Sequence, residues 1–334
     1  MSHPAGPIWE SISGISRFAA LATMAELGCA DHLAEGPLNA EELAVRCGAH
    51  APSLRRVLRE LAGMGIVRSV GQDRYELTAD GSSLRSDVPD STLPAVRMIA
   101  EESFWYALGN LPTTVRQGRS AFVERYGPLY QRLGQHPEVG QIFDTYMTSR
   151  AMPFAEQVAE RYDFSRVDTL VDVAGGKGHI LAAVLHANPR MRGVLVDLDH
   201  VVPGATAALT AHGLMERCEV LAGDFFAQVP AGFDAYLLAS ILHNWDDQDA
   251  ERILRRVREA IREDGRLLIL EMVLPDEDEP HVGKDMDMRM LALFDGGTER
   301  TRQEYSVLLE KTGFRLTEVF DLSAGASLVE AVPV

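Results

Sequence analysis

The chain is poor in cysteine and lysine and has no long apolar run. Cys29, Cys47 and Cys218 are the only cysteines in 334 residues. They are odd in number, far apart and without a Cys-x-x-Cys spacing, which argues against a disulfide framework and against a zinc site. A reducing compartment follows. No uninterrupted apolar stretch reaches the roughly 18 residues that a membrane helix needs, and residues 1–8 are too polar and proline-containing for a secretory signal. The expected location is the cytoplasm, with no membrane partner. Lysine stands only at positions 177, 284 and 311, and basic residues number 32 against 49 acidic ones. The net charge of −17 opposes phosphate backbones, so nucleic acid is not an expected partner.

What is present suffices for two domains with sizeable cores, since 46% of the residues are hydrophobic. The two halves read differently. Residues 1–150 are mainly helical. In "NAEELAVRCGAHAPSLRRVLRELAGMGIVRSVGQDRYELT", Asn39 and Glu42 stand at capping-box spacing, and Leu54, Val57, Leu58 and Leu61 share one helical face. "GIVRSV" and "DRYELT", joined by Gly71, Gln72 and Asp73, read as a hairpin. Two helices and a hairpin make a winged-helix pattern. Arg55, Arg56 and Arg59 on its second helix suit DNA in isolation, but the acidic total favours a solvated scaffold face. The run "SISGISRFAALATMAELGCADHL" carries more apolar surface than a lone surface helix needs, and a subunit interface is one outlet for it.

Over 151–334 apolar runs alternate with helical patterns. "VDTLVDVAGG", "GVLVDLD", "CEVLAGDFF", "FDAYLLASIL" and "GRLLILEMVL" predict parallel strands of a doubly wound α/β sheet, with ligands above their C-terminal ends. "GFRLTEVFDL" and "SLVEAVPV" lie too close together for a helical crossover and are expected antiparallel at the sheet edge.

Three strand ends in turn suit an adenosine. Gly175, Gly176 and Gly178 follow the first run and let the backbone approach a ligand closely. Asp197 ends the second run, where a carboxylate accepts from both hydroxyls of a ribose. Asp224 and Phe225, after the third, suit an adenine amine and an adenine face. Position 181 is Leu where a dinucleotide fingerprint has its third glycine, so a pyrophosphate is disfavoured.

With "VDVAGGKG", "LVDLDHV", "GDFF", "LHNWDD" and "GGTERTRQEY" in this order, the chain resembles S-adenosylmethionine-dependent O-methyltransferases of the plant caffeate and hydroxyindole type, including bacterial enzymes that tailor aromatic polyketides. The likeness spans nearly the whole chain. It implies a Rossmann-like methyltransferase sheet over 151–334 and an N-terminal, mainly helical winged-helix domain over 1–150 that dimerises, caps the substrate and does not bind DNA. It also implies S-adenosyl-L-methionine as co-substrate, no metal, and an aromatic hydroxylated small molecule as acceptor, in secondary metabolism. Gly175, Gly176, Asp197, Leu198, Gly223, Asp224, Phe225 and Ser240 are its cofactor-binding positions. The family usually has Gly where Ala174 stands, and Lys or Arg where Ala239 stands.

His243 follows the fourth run beside the cofactor pocket. A phenol has a pKa near 10 and is mostly protonated at neutral pH, so a neutral imidazole there suits a general base. Its other nitrogen needs an acceptor, and the resemblance assigns that support to Glu271 and Glu299. A lone carboxylate in an apolar run, as Glu271 is, needs a partner in any case. Asp246 and Asp247 invite a metal reading with His243, but acidic residues ahead of "AERILRRVREAI" fit a helix N-terminus better. The resemblance places Phe143, Met147 and Met290 against the acceptor, with Trp105 and Asn244 beside them. Arg289 stands where relatives have an apolar residue. Facing the cavity it favours an acceptor with an acidic group; otherwise it pairs with Asp285 or Asp287 on its own helix. The rival functions are an adenosine-sensing winged-helix regulator without catalysis and a nicotinamide-dependent dehydrogenase.

Overall fold

Asn39 and Glu42 close the capping box that their spacing predicts. The Asn39 side chain accepts from the Glu42 N–H at 2.8 Å, and the Glu42 carboxylate accepts from the Asn39 N–H at 3.0 Å. In the computed structural model, which describes residues 6–334, this box starts the helix Ala40–Cys47, packed on the helix Ala51–Gly63. Leu54, Leu58 and Leu61 are buried on the second helix and Val57 is half-buried. The strands Val67–Ser69 and Arg74–Leu77 form the hairpin, turning through positive φ at Gly71, Gln72 and Asp73, and Leu38–Asn39 joins them as a third strand. Arg55 is engaged by Glu41 and Asp73. The first helix, Pro7–Glu26, buries Ala20, Met24 and Ala25 but leaves Ile8, Trp9, Ile12 and Ile15 exposed.

By its internal contacts the chain divides into two units. One holds the residues up to Trp105 together with His136–Ser149; the other holds Tyr106–Gln135 and Arg150–Val334. A boundary at 150 falls within the helix Pro137–Arg161, and the helices of 106–135 pack with the sheet unit. Ser120 shows why. Its hydroxyl donates to the Ala292 carbonyl at 2.7 Å and its N–H to the Asp295 carboxylate at 2.7 Å, tying the helix Ala121–Tyr126 to the helix Val282–Leu293.

The main sheet of the second unit has seven strands: β1 Thr169–Val173, β2 Arg192–Asp197, β3 Cys218–Ala222, β4 Ala235–Ala239, β5 Arg266–Glu271, β6 Phe314–Asp321 and β7 Ser327–Pro333. Their order is β6-β7-β5-β4-β1-β2-β3. β1 to β5 are parallel, whereas β7 runs antiparallel to both β5 and β6, so β6 is the edge. Side chains alternate between two cores, Leu170, Leu195, Leu237 and Leu268 on one face and Val171, Val194, Tyr236 and Leu267 on the other. Connections leave β1 for β2 on one side and reach β4 on the other, which opens a crevice above the ends of β1 and β4.

The fourth apolar run is longer than its strand. β4 stops at Ala239, Ser240 turns away at φ 56°, and the run ends in the single 3₁₀ turn Leu242–Asn244. Ile241 and Leu242 stay buried, which is why the apolar pattern continues past the strand. Removing the capping box gives a test of the helical unit: Asn39→Ala lowers the opening free energy of Ala40–Cys47 by about 1 kcal/mol in amide hydrogen exchange, and unchanged protection contradicts that role.

Candidate active site

The end of β1 is built for close approach. Ala174 and Gly176 take φ of 56° and 58°, and a Cβ at Gly176 would meet nothing within 4 Å, so this backbone faces open space. At Gly175 a Cβ would lie 2.5 Å from the Asp172 carboxyl, so a larger residue there would have to displace that buried side chain. Gly178 caps the helix His179–Ala187 at φ 75°. Leu181, in place of a third glycine, is wholly buried and packs over Gly193. Next door, the Asp197 carboxylate accepts from Gly176 N–H at 2.8 Å and Leu198 N–H at 2.7 Å. A carboxylate has about four acceptor positions, so ribose hydroxyls still fit. Burial raises the Asp197 pKa against the lowering effect of those two N–H groups. Gly223 donates to the Asp197 carbonyl at 2.9 Å, which sets β3's tip beside β2's. Exposed Asp224 accepts from Phe226 N–H at 2.8 Å, and Phe225 is half-buried against Phe226 and Trp245.

The second part of the site lies beyond β4. His243 is 3% exposed, and its Nδ1 is 2.7 Å from Glu299 Oε1. A carboxylate only accepts, so Nδ1 carries the hydrogen, and in the neutral ring Nε2 is the nitrogen with the lone pair. The support expected from two glutamates is thus divided. Glu299 holds the ring, and Glu271 holds the loop: Glu271 Oε1 accepts from Ile241 N–H at 2.9 Å and His243 N–H at 3.1 Å, while the Tyr305 hydroxyl donates to Oε2. Burial, and then the Glu271 charge, keep the Tyr305 pKa far above its usual value, so it remains a donor. The His243 carbonyl accepts from Thr298 N–H at 2.8 Å.

Arg300 closes the loop from below. It is 2% exposed and donates to the Leu242 carbonyl at 3.1 Å, the Trp245 carbonyl at 3.0 Å and Asp247 at 2.9 Å. Asp246 caps the helix Asp247–Ala260, accepting from Asp249 N–H at 2.8 Å. Both aspartates therefore have structural partners. Among the described residues no group of three or more His, Cys, Asp or Glu side chains is arranged to hold a metal. Tyr305 and Arg300 lie inside the quoted "GGTERTRQEY" yet were not singled out by sequence, because neither residue type alone signals a buried role.

Of the residues expected to face an acceptor, Asn244 sits beside His243 at 6% exposure. Met290 is buried among Met272, Met286 and Phe294. Arg289 is half-buried and, among the described residues, has no ion-pair partner. No ion pair is formed with Asp285 or Asp287 along its helix, and Asp287 Oδ1 accepts from Glu299 N–H at 2.9 Å. In the helical unit, Trp105 stacks on Phe18 at 5.4 Å, and Phe143 and Met147 lie half-buried one turn apart.

A carboxylate with spare acceptor positions, an open glycine backbone and a buried imidazole bonded to Glu299 lie at neighbouring strand ends. Comparison with known proteins names the family. Residues 105–315 match the O-methyltransferase domain, and residues 9–87 match the O-methyltransferase dimerisation domain. The phenazine O-methyltransferase PhzM of Lysobacter antibioticus is 39% identical over 97% of this chain and 95% of its own. Mitomycin 7-O-methyltransferase MmcR superposes with a TM-score of 0.92 at 36% identity, covering 98% of this chain and 97% of that one. The O-methyltransferase NcsB1 of neocarzinostatin biosynthesis, solved with S-adenosylmethionine and 2-hydroxy-5-methyl naphthoic acid, gives 0.86 at 32% identity with complete coverage of both chains, 100% each. The chain belongs to the S-adenosylmethionine-dependent O-methyltransferase family, and S-adenosyl-L-methionine is its methyl donor. That membership sets aside the nicotinamide-dependent and non-catalytic readings.

Asp172, beneath the glycine turn, yields a test by pH. It is 1% exposed, its Oδ1 has no hydrogen-bonding partner, and burial with the Asp197 charge pushes its pKa up to about 7. The unfolded value is near 3.9, so the folded state holds the proton longer, and stability falls as pH rises from about 4 to about 7. Asp172→Asn removes that loss. In urea unfolding the variant gains stability relative to wild type at pH 8, by at most about 4 kcal/mol, and the gain shrinks at pH 5; a difference independent of pH contradicts the assignment.

Proposed function

We propose that the protein is a cytoplasmic homodimeric enzyme of secondary metabolism that methylates a hydroxyl of an aromatic small molecule, with His243 as general base. The observation that carries this reading is the His243–Glu299 hydrogen bond of 2.7 Å, which leaves Nε2 as the basic atom. Bound S-adenosyl-L-methionine supplies an electrophilic methyl carbon. Gly175, Gly176, Asp197, Leu198, Gly223, Asp224, Phe225 and Ser240 hold it: the glycine backbone admits its chain, Asp197 takes the ribose hydroxyls, and Asp224 with Phe225 takes the adenine. Nε2 accepts the phenolic proton, and Glu299 stabilises the imidazolium that forms. Glu271 keeps the backbone under the ring from moving.

Asn244, Arg289 and Met290 of the sheet unit are assigned to the acceptor. The relatives named for phenazine and naphthoic acid support an aromatic ring there. Half-buried Arg289 without an ion pair supports a substrate bearing an acidic group, since a cation in a low-dielectric cavity is stabilised by an anionic ligand. Dimerisation through the helical unit is supported by the matched dimerisation domain and by the exposed Ile8, Trp9, Ile12 and Ile15.

His243→Ala is expected to lower turnover roughly 10²- to 10⁴-fold while S-adenosylhomocysteine binds with unchanged affinity by calorimetry; near-normal turnover removes His243 from the base role. Arg289 is tested by a hydroxylated aromatic acid and its methyl ester. Wild type prefers the acid and Arg289→Ala loses the preference, whereas an unchanged ratio discards the role.

A further inference from the structure

The Cys29 and Cys47 sulfurs lie 3.6 Å apart, although the two residues are 18 positions apart in the chain. Cys29 opens the helix Cys29–Ala34 and Cys47 ends the helix Ala40–Cys47, so no Cys-x-x-Cys spacing marks the pair; packing of the two helices makes it. The two thiols are unequal. Cys29 is 1% exposed and shares the apolar core of the helical unit with Met24, Leu33 and Leu43, whereas Cys47 is half-buried at the margin of that core. Burial, and then the neighbouring Cys47, raise the Cys29 pKa above its usual value. Burial raises that of Cys47 too, but a hydrogen bond from Cys29 and the Arg46 charge act to lower it. When one proton is lost it therefore leaves Cys47, and the Cys29 S–H donates to the thiolate that remains. Glycines in the left-handed region flank the pair, Gly28 at φ 62° and Gly48 at φ 65°, so the chain can turn at each end as the sulfurs move from 3.6 Å to the roughly 2.0 Å of a covalent bond.

We infer that Cys29 and Cys47 form an oxidation site, a thiol pair that a hydroperoxide converts to an intrachain disulfide, with Cys47 as the attacking sulfur and Cys29 as the resolving one. The Cys47 thiolate attacks one peroxide oxygen, the O–O bond breaks, and the other oxygen leaves as hydroxide, which gives a sulfenic acid on Cys47. The Cys29 sulfur then attacks the Cys47 sulfur, and its proton departs with the Cys47 oxygen as water. Two electrons pass from the thiols to the peroxide, and a small thiol reverses the change. The new bond fastens the start of one helix to the end of the next and closes a loop within the helical core, so it acts on how readily that unit opens.

The test treats the full-length protein with hydrogen peroxide, quenches it by alkylation and reads the digest by mass spectrometry. Wild type yields a peptide linked through Cys29 and Cys47, lighter by two hydrogens than the two free peptides together and lost again in dithiothreitol. Cys218, buried in the core of the sheet unit with no thiol partner among the described residues, stays reduced and is the internal control. In amide hydrogen exchange the oxidised chain protects residues 29–47 at least about tenfold more than the reduced one. Cys29→Ser stops the reaction at a sulfenic acid on Cys47 that dimedone traps, and Cys47→Ser leaves Cys29 reduced. A pair that stays reduced in peroxide, Cys47 driven to sulfinic acid without the linkage, oxidation of Cys218 at the same rate, or a linkage between two chains overturns the site. Sulfenic acid trapped on Cys29 in Cys47→Ser overturns the order of attack, and unchanged exchange after oxidation overturns the effect on opening.

Discussion

A carboxylate bound to one nitrogen of a buried imidazole is the interaction on which the site depends. Glu299 and His243 are both nearly sealed from water, and neither side chain is tolerable there without the other. Around that bond most of the remaining polar groups are paired, the buried Glu299 Oε2 being an exception. Glu271 takes three donors, Arg300 satisfies two loop carbonyls and Asp247, and Thr298 donates to the His243 carbonyl. The end of β4, the end of β5 and the segment 298–300 are thereby joined through side chains rather than by the sheet. A short parallel pairing of Arg300–Thr301 with Val273–Leu274 adds the only backbone ladder between the last two of these among the described residues. Such a network leaves the imidazole a single orientation, which is what proton transfer from a weak acid requires.

Backbone strain occurs at the same crevice, as it does in the hairpin turn at Gln72 and Asp73. Ala174 and Ser240, at the ends of β1 and β4, both take left-handed φ without being glycine. Each costs on the order of 1–2 kcal/mol. Ala174 is the position where the family usually has glycine, so the alanine must adopt the same turn at greater expense. At Ser240 the strain ends the strand one residue before the buried 241–244 segment and orients a carbonyl toward Asn244. Two strained residues flanking one cleft fit a site whose geometry is imposed by the surrounding sheet and not chosen locally.

Much of this was legible in the sequence because the chemistry is local to strand ends. Alternating apolar runs located all seven strands, and the ends of the first four runs pointed to the glycine turn, Asp197, Asp224 and His243. What sequence could not divide was the work of the two glutamates, since that depends on which carboxylate the fold brings to Nδ1 and which to the backbone. The hydrogen bond from the Asn244 amide to the Tyr130 hydroxyl was invisible for a related reason. Tyr130 lies 114 positions from Asn244, on a segment whose pattern is ordinary helix, and only packing on the helix Val282–Leu293 assigns that segment to the sheet unit. Arg300 and Tyr305 were in view but unread, because burial of a guanidinium or a phenol is set by tertiary neighbours and not by spacing.

The central claim is that His243 Nε2 receives the acceptor's proton while Glu299 holds Nδ1. The most direct measurement is a crystal structure with S-adenosylhomocysteine and a phenolic acceptor both bound. The expected result is an acceptor oxygen about 2.6–3.2 Å from Nε2, with the sulfur on the far side of that oxygen. An imidazole turned away from the phenol, or an acceptor oxygen reached by another side chain and not by His243, would contradict it.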